Sequence, residues 1–126
     1  MNTLLSTTSI RNTTVVNRQG ETLGSIEDIM LDPQSGRVEY AVLDFGGFLG
    51  IGDKLFAVPL QAFEVDRDNE RFVLDVTKDK LESAPGFDKN DWPQTANREF
   101  TEGVYDFYGQ RDTYLRSRVN DPALAN

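Results

Sequence analysis

The sequence predicts a mainly β protein, a small six-stranded antiparallel β-barrel with a C-terminal helical extension. Three observations lead there. Up to Val76 the chain alternates short apolar or β-branched runs with turn residues; beyond Val76 the apolar period changes from two towards three or four; and 126 residues leave room for one shared core. Residues 13–17 form a β-branched run, Asn17-Arg18-Gln19-Gly20 supplies a turn, and residues 22–31 resume an extended pattern, which makes a first hairpin. Asp32-Pro33-Gln34-Ser35-Gly36 is the clearest turn in the chain, because Pro33 presets φ and Gly36 can take a positive one. Residues 37–45 then place Val38, Tyr40 and Val42 on one face and Ala41, Leu43 and Phe45 on the other. A strand with two apolar faces lies inside a small barrel or between a core and a second contact surface. After the glycine-rich loop 46–53, residues 54–60, 63–66 and 71–76 complete six strands, with Pro59 near the end of the fourth and Arg67-Asp68-Asn69-Glu70 as the last hairpin turn.

Thr77 is placed to cap a short helix through Ser83, which Pro85-Gly86 ends. Residues 87–95 hold the only tryptophan, Trp92, followed by Pro93, and read as an irregular segment laid over apolar surface. Asn97 caps a further helix in which Phe100, Val104, Phe107 and Tyr108 recur at i, i+4, i+7 and i+8, and Gly109 stops it. Past Gln110 the helical pattern weakens through Tyr114, Leu115 and Val119, and residues 121–126 are expected to fray. The chain therefore divides into a barrel over residues 8–85, an irregular segment and amphipathic helix over 86–109 packed on the barrel or on a dimer partner, and a tail over 110–126.

Composition excludes several functions. The chain carries a net charge of −8 and has neither His nor Cys. Without imidazole or thiolate there is no zinc site of the usual nitrogen and sulfur ligands, no common haem or iron–sulfur ligation, and no Ser-His-Asp or Cys-His nucleophile. A disulfide framework is equally absent. The acidity opposes nucleic-acid binding by counterion release. It is uneven, since residues 61–109 hold six basic and twelve acidic side chains while 110–126 hold three and two. No apolar run approaches the roughly 20 residues of a membrane helix, and no signal segment is visible, so a soluble cytoplasmic protein is expected.

The ordered residues resemble a known family. Asn17-Arg18-Gln19-Gly20-Glu21-Thr22-Leu23-Gly24-Ser25-Ile26-Glu27-Asp28, then Asp32 to Gly36 with Val38-Glu39-Tyr40-Ala41-Val42-Leu43, the loop Gly46-Gly47-Phe48-Leu49-Gly50-Ile51-Gly52-Asp53-Lys54, and Ala57-Val58-Pro59 look like the PRC-barrel family. Leu81, Ala84-Pro85, Trp92-Pro93 and Tyr108-Gly109 are similar to its free-standing bacterial members. The resemblance implies a six-stranded barrel used as an interaction module, as in the cytoplasmic domain of the photosynthetic reaction-centre H subunit and in the ribosome maturation factor family. It also implies dimers. With no transmembrane helix and no RNA-processing domain, neither specific role carries over; the barrel and its adaptor character do.

Candidate contact residues come in two groups. Phe48, Leu49 and Ile51 give the glycine loop an apolar load that a solvent loop does not need, either as an interface or tucked over the barrel mouth. Phe100, Val104, Phe107 and Tyr108 form a stripe that packs on its own barrel or, exchanged, on a second subunit. Trp92 reads as a packing anchor. The acidic turns Asp66, Asp68, Asn69, Glu70 and Asp88, Asn90, Asp91 lack calcium-loop spacing and read as solvated turns. Glu27, Asp28 and Asp32 fall near one another on the first hairpins, but Asp32 is explained by its turn. The glycine loop leads into a strand, not a helix, so it does not fit a phosphate loop. The expected function is a non-catalytic, cofactor-free protein-interaction adaptor, a homodimer in the first case, with peripheral contact to a membrane complex compatible with it. The alternative is a small-molecule or cation-binding barrel linked to stress response or membrane-associated electron transport.

Overall fold

The computed structural model describes residues 4–45, 54–94 and 97–118. A short helix, α1 (Thr7–Ile10), capped by the Ser6 hydroxyl accepting from Ser9 N at 3.1 Å, precedes β1 (Thr14–Val16), and its Ile10 is buried in the core. The turn at Asn17 forms as its residues require. The buried Asn17 side chain accepts from Gln19 N and Glu21 N at 3.1 and 2.9 Å and donates to Glu21 Oε1 at 2.8 Å. Then come β2 (Thr22–Asp32) and β3 (Arg37–Asp44), joined by a turn in which Asp32 Oδ1 accepts from Gln34 N at 3.0 Å and Oδ2 from the Ser35 hydroxyl at 2.8 Å. These bonds hold the Asp32 carboxyl below the usual carboxylate range, the Ser35 contact most of all.

The strands β4 (Lys54–Val58), β5 (Phe63–Asp66) and β6 (Arg71–Leu74) follow, a short 3-10 turn at Leu60–Ala62 separating the first two. Next are α2 (Lys78–Glu82) and β7 (Gly86–Asp88). The sheet order is β5-β6-β1-β2-β3-β4-β7. Here the structure corrects the sequence reading. The sheet has seven strands, is mixed, since β1 runs parallel to β6, and ends in two edges, β5 and β7, without backbone closure among the described residues. Turn residues report only which neighbours are joined by a hairpin, so a pairing between distant strands leaves no local signal. β7 lies in the stretch that reads as irregular, and its three residues pair Phe56 with Gly86. That approach needs glycine, because a Cβ at position 86 would come within 2.2 Å of the Leu55 carbonyl oxygen. Gly24 meets the same demand in β2, where a Cβ would lie 2.1 Å from Asp44 O at a φ of +137°.

The alternation in β3 holds from Tyr40 onward, while Val38, expected on the face of Tyr40 and Val42, is only half-buried and joins neither cluster. Ala41, Leu43 and Phe45 join Leu23, Ile26, Phe56 and Val58 in the inner core, while Tyr40 and Val42 join Leu55 and Ala57 in a second apolar cluster on the other face. That second face is covered by α3 (Arg98–Phe107) and α4 (Arg111–Ser117) of the same chain, through Val104, Tyr105 and Tyr114. Thr77 Oγ1 accepts from Lys80 N at 3.1 Å and Asn97 Oδ1 from Phe100 N at 3.0 Å, so both caps form where the sequence puts them. The segment after Gln110, read as fading, holds α4, and its Tyr114 is among the largest fully buried side chains. No helix among the described residues is long and apolar enough to cross a membrane.

Candidate functional site

A cleft of about 470 Å³ opens where the end of the β2–β3 hairpin faces β7 and the start of α3. Its floor is aromatic. Tyr40 meets Phe100 edge-on at 5.7 Å between ring centroids and Phe87 at 6.5 Å, and Phe87 in turn meets Trp92 at 5.3 Å. Trp92 anchors this row by donating Nε1–H to Lys89 O at 2.7 Å. The hairpin supplies the opposite wall with Met30, Leu31, Asp32 and Pro33. Leu31 is 55% exposed although it lies on a strand. Ile29-Met30-Leu31 is three apolar residues in a row, and a period of two cannot point all three at one core. That run is the sequence signal for this wall, which neither expected contact group includes.

One polar pair ties the cleft wall to the end of α4. Glu39, on the cleft wall, accepts from Arg118 at the end of α4, whose guanidinium lies 4.7 Å from the Tyr114 ring centroid and also donates Nη1–H to Ser117 Oγ at 3.0 Å. The Arg118 side chain is only 5% exposed. Burial, aided by the Glu39 charge, pushes the Tyr40 hydroxyl up to about 12. Tyr105, whose hydroxyl lies 3.1 Å from Gln61 Oε1, is raised too, by burial above all, against the lowering charge of Arg118.

The sequence-derived candidates are divided by this arrangement. Phe48, Leu49 and Ile51 lie outside the described residues. Phe100 and Val104 face the outer cluster, and Val104 is fully buried there within the chain. Phe107 and Tyr108 turn instead to the inner core, where the Lys80 ammonium lies 5.5 Å from the Phe107 ring centroid. The central row of α3 is thus Thr101, Val104 and Tyr105, all buried, spaced by three and one. Trp92 is a packing anchor, as its position beside Pro93 suggests. The acidic turns are built on hydrogen bonds: Asp66 accepts from Asn69 and from Arg71 Nε at 3.0 Å, and Asp88 Oδ1 from Asn90 N at 2.8 Å. Asp28 Oδ1 accepts from Ile29 N at 2.8 Å beside the break in β2–β3 register.

The order and register of these strands, with the Asn17 and Asp32 turns between them, can be set beside known proteins. The family model of the PRC-barrel domain matches residues 3–81, well over half of the 126. No curated protein matches the chain. The matched span ends at Leu81, so β7, α3 and α4 lie beyond it, the first two of which build one side of the cleft. The matched residues carry α1, the strands β1 to β6 and most of α2, and the chain belongs to the PRC-barrel domain family.

Proposed function

We propose that this chain works by binding another protein and not by catalysis, and that the cleft of Met30, Leu31, Tyr40, Phe87 and Phe100 is its contact. The observation that carries the reading is the exposed Leu31 beside an aromatic floor, apolar surface that the described residues leave uncovered at the end of the β2–β3 hairpin. Membership of the PRC-barrel family supports it, since the resemblance to reaction-centre and ribosome-maturation barrels implies a docking module. A second copy of the chain is the first partner to test, in a cytoplasmic setting, and the sequence argument for Phe48, Leu49 and Ile51 adds the glycine loop as a second contact.

The test compares the wild type with Leu31→Glu and with Phe48→Ser/Leu49→Ser in sedimentation and in affinity capture from the native cell. A concentration-dependent dimer or a captured protein should be weakened about tenfold or more by Leu31→Glu, the loss of one well-packed anchor. Identical sedimentation and identical captured proteins for all three forms would sink the proposal. The cleft volume also falls in the range of small-molecule sites, which favours the ligand-binding alternative as a second reading. A thermal shift with small apolar ligands or divalent cations, and no self-association, would select it.

A further inference from the structure

A second cleft, of about 530 Å³, lies between the end of α1, the start of β1 and the β5–β6 hairpin, away from the aromatic one. In a chain of charge −8, three of the nine arginines line it: Arg11, Arg67 and Arg71. Two of them are held by one nitrogen only. Arg71 Nε lies 3.0 Å from Asp66 Oδ2, and Arg11 donates Nε–H to Glu27 O at 3.2 Å, so the terminal nitrogens of both have no partner among the described residues. Arg67, at the hairpin tip, is exposed, and while its carbonyl accepts from Glu70 N at 3.2 Å, its guanidinium makes no ion pair or hydrogen bond among the described residues. Of the two carboxylates on the lining, Asp66 is already engaged by Asn69 and Arg71, which leaves Glu70.

A guanidinium fixed through Nε presents its two terminal N–H groups as a fork that matches a carboxylate or phosphate, at less entropic cost than a free side chain. Apolar surface adjoins the arginines, with Leu5 and Val65 on the same lining and Val65 51% exposed on the edge strand β5. The strongly negative remainder of the chain repels a polyanion such as nucleic acid, which would have to lie along it, but leaves a single small anion free to enter. We infer that this cleft binds the phosphate or carboxylate group of a small organic anion, with Arg11, Arg67 and Arg71 around the charge and the apolar part against Leu5 and Val65. This site is independent of the protein contact proposed above.

Calorimetric titration of the full chain with inorganic phosphate, hexyl phosphate and hexanoate, at ionic strength matched with sodium chloride, tests it. Hexyl phosphate or hexanoate should bind, the better of the two about tenfold more tightly than inorganic phosphate, and that binding should fall about tenfold in Arg67→Gln and in Arg11→Gln. Both arginines are exposed, so both variants should keep the wild-type circular dichroism, and Leu31→Glu should bind the anion as the wild type does. Absence of heat with all three probes, affinity unchanged in both arginine variants, or hexyl compounds no tighter than phosphate would each overturn the assignment.

Discussion

The Tyr108 hydroxyl is buried and makes no hydrogen bond among the described residues, and burial holds its proton far above the ordinary tyrosine range. Leaving a buried donor unpaired costs about 1 to 3 kcal/mol, so Tyr108→Phe is expected to raise stability by about 1 kcal/mol in urea denaturation. A loss would show that the hydroxyl has a partner. Tyr40 gives a pH signature. Its folded value of about 12 stands above the ordinary 10 that applies to the unfolded chain. The neutral form is the one that folds, so the contribution is complete below pH 10, declines as the unfolded chain sheds its proton, and is spent by about pH 12. The decline should amount to about 2 to 3 kcal/mol and be smaller in Tyr40→Phe, read from denaturation midpoints against pH with tyrosinate absorbance as the monitor. Residues whose role is local were legible in the sequence: Thr77, Asn97 and Asp32 each act within three positions of themselves. Tyr105 and Arg118 were not, because each is defined by what reaches it from another part of the chain, whereas Leu31 is marked locally by the apolar run Ile29-Met30-Leu31.

Among the elements, α2, α3, the hairpins and the edge strand β5 were legible, while α1, α4 and the other edge, β7, were not. Periodicity marks α3 and the faces of β3, but β7 has three residues and no period to show. The fading pattern after Gln110 concealed α4, because a seven-residue helix with one buried tyrosine has almost no stripe. What α4 has instead is the Arg118–Glu39 pair, which fastens it to β3 across most of the chain. Arg118→Met leaves the Glu39 carboxylate against apolar surface without its cation, and should cost about 3 kcal/mol. The double variant Arg118→Met/Glu39→Leu removes both charges and should recover most of that loss. Denaturation of the wild type, Arg118→Met, Glu39→Leu and the double variant closes the cycle, and equal stability for Arg118→Met and the double variant would show that the charge is not what matters.

For the whole molecule, two apolar layers share one sheet, and charge sits mainly on the later elements. The pairing that joins the halves is the parallel one between β1 and β6, which sets Thr14 beside Arg71, nearly sixty positions later. Closing that loop costs roughly 2 kcal/mol more than closing a hairpin turn of a few residues, and β1 has only three residues with which to offset it. The β2–β3–β4 meander can therefore assemble from local turns early, while β1 against β6 must wait until the rest has collapsed. Stopped-flow measurements should show Val42→Ala slowing refolding, and Val15→Ala, its counterpart in β1, mainly hastening unfolding. The seam between β1 and β6 is then where the native state first opens, and its lifetime, more than its equilibrium stability, is governed by three short residues of strand.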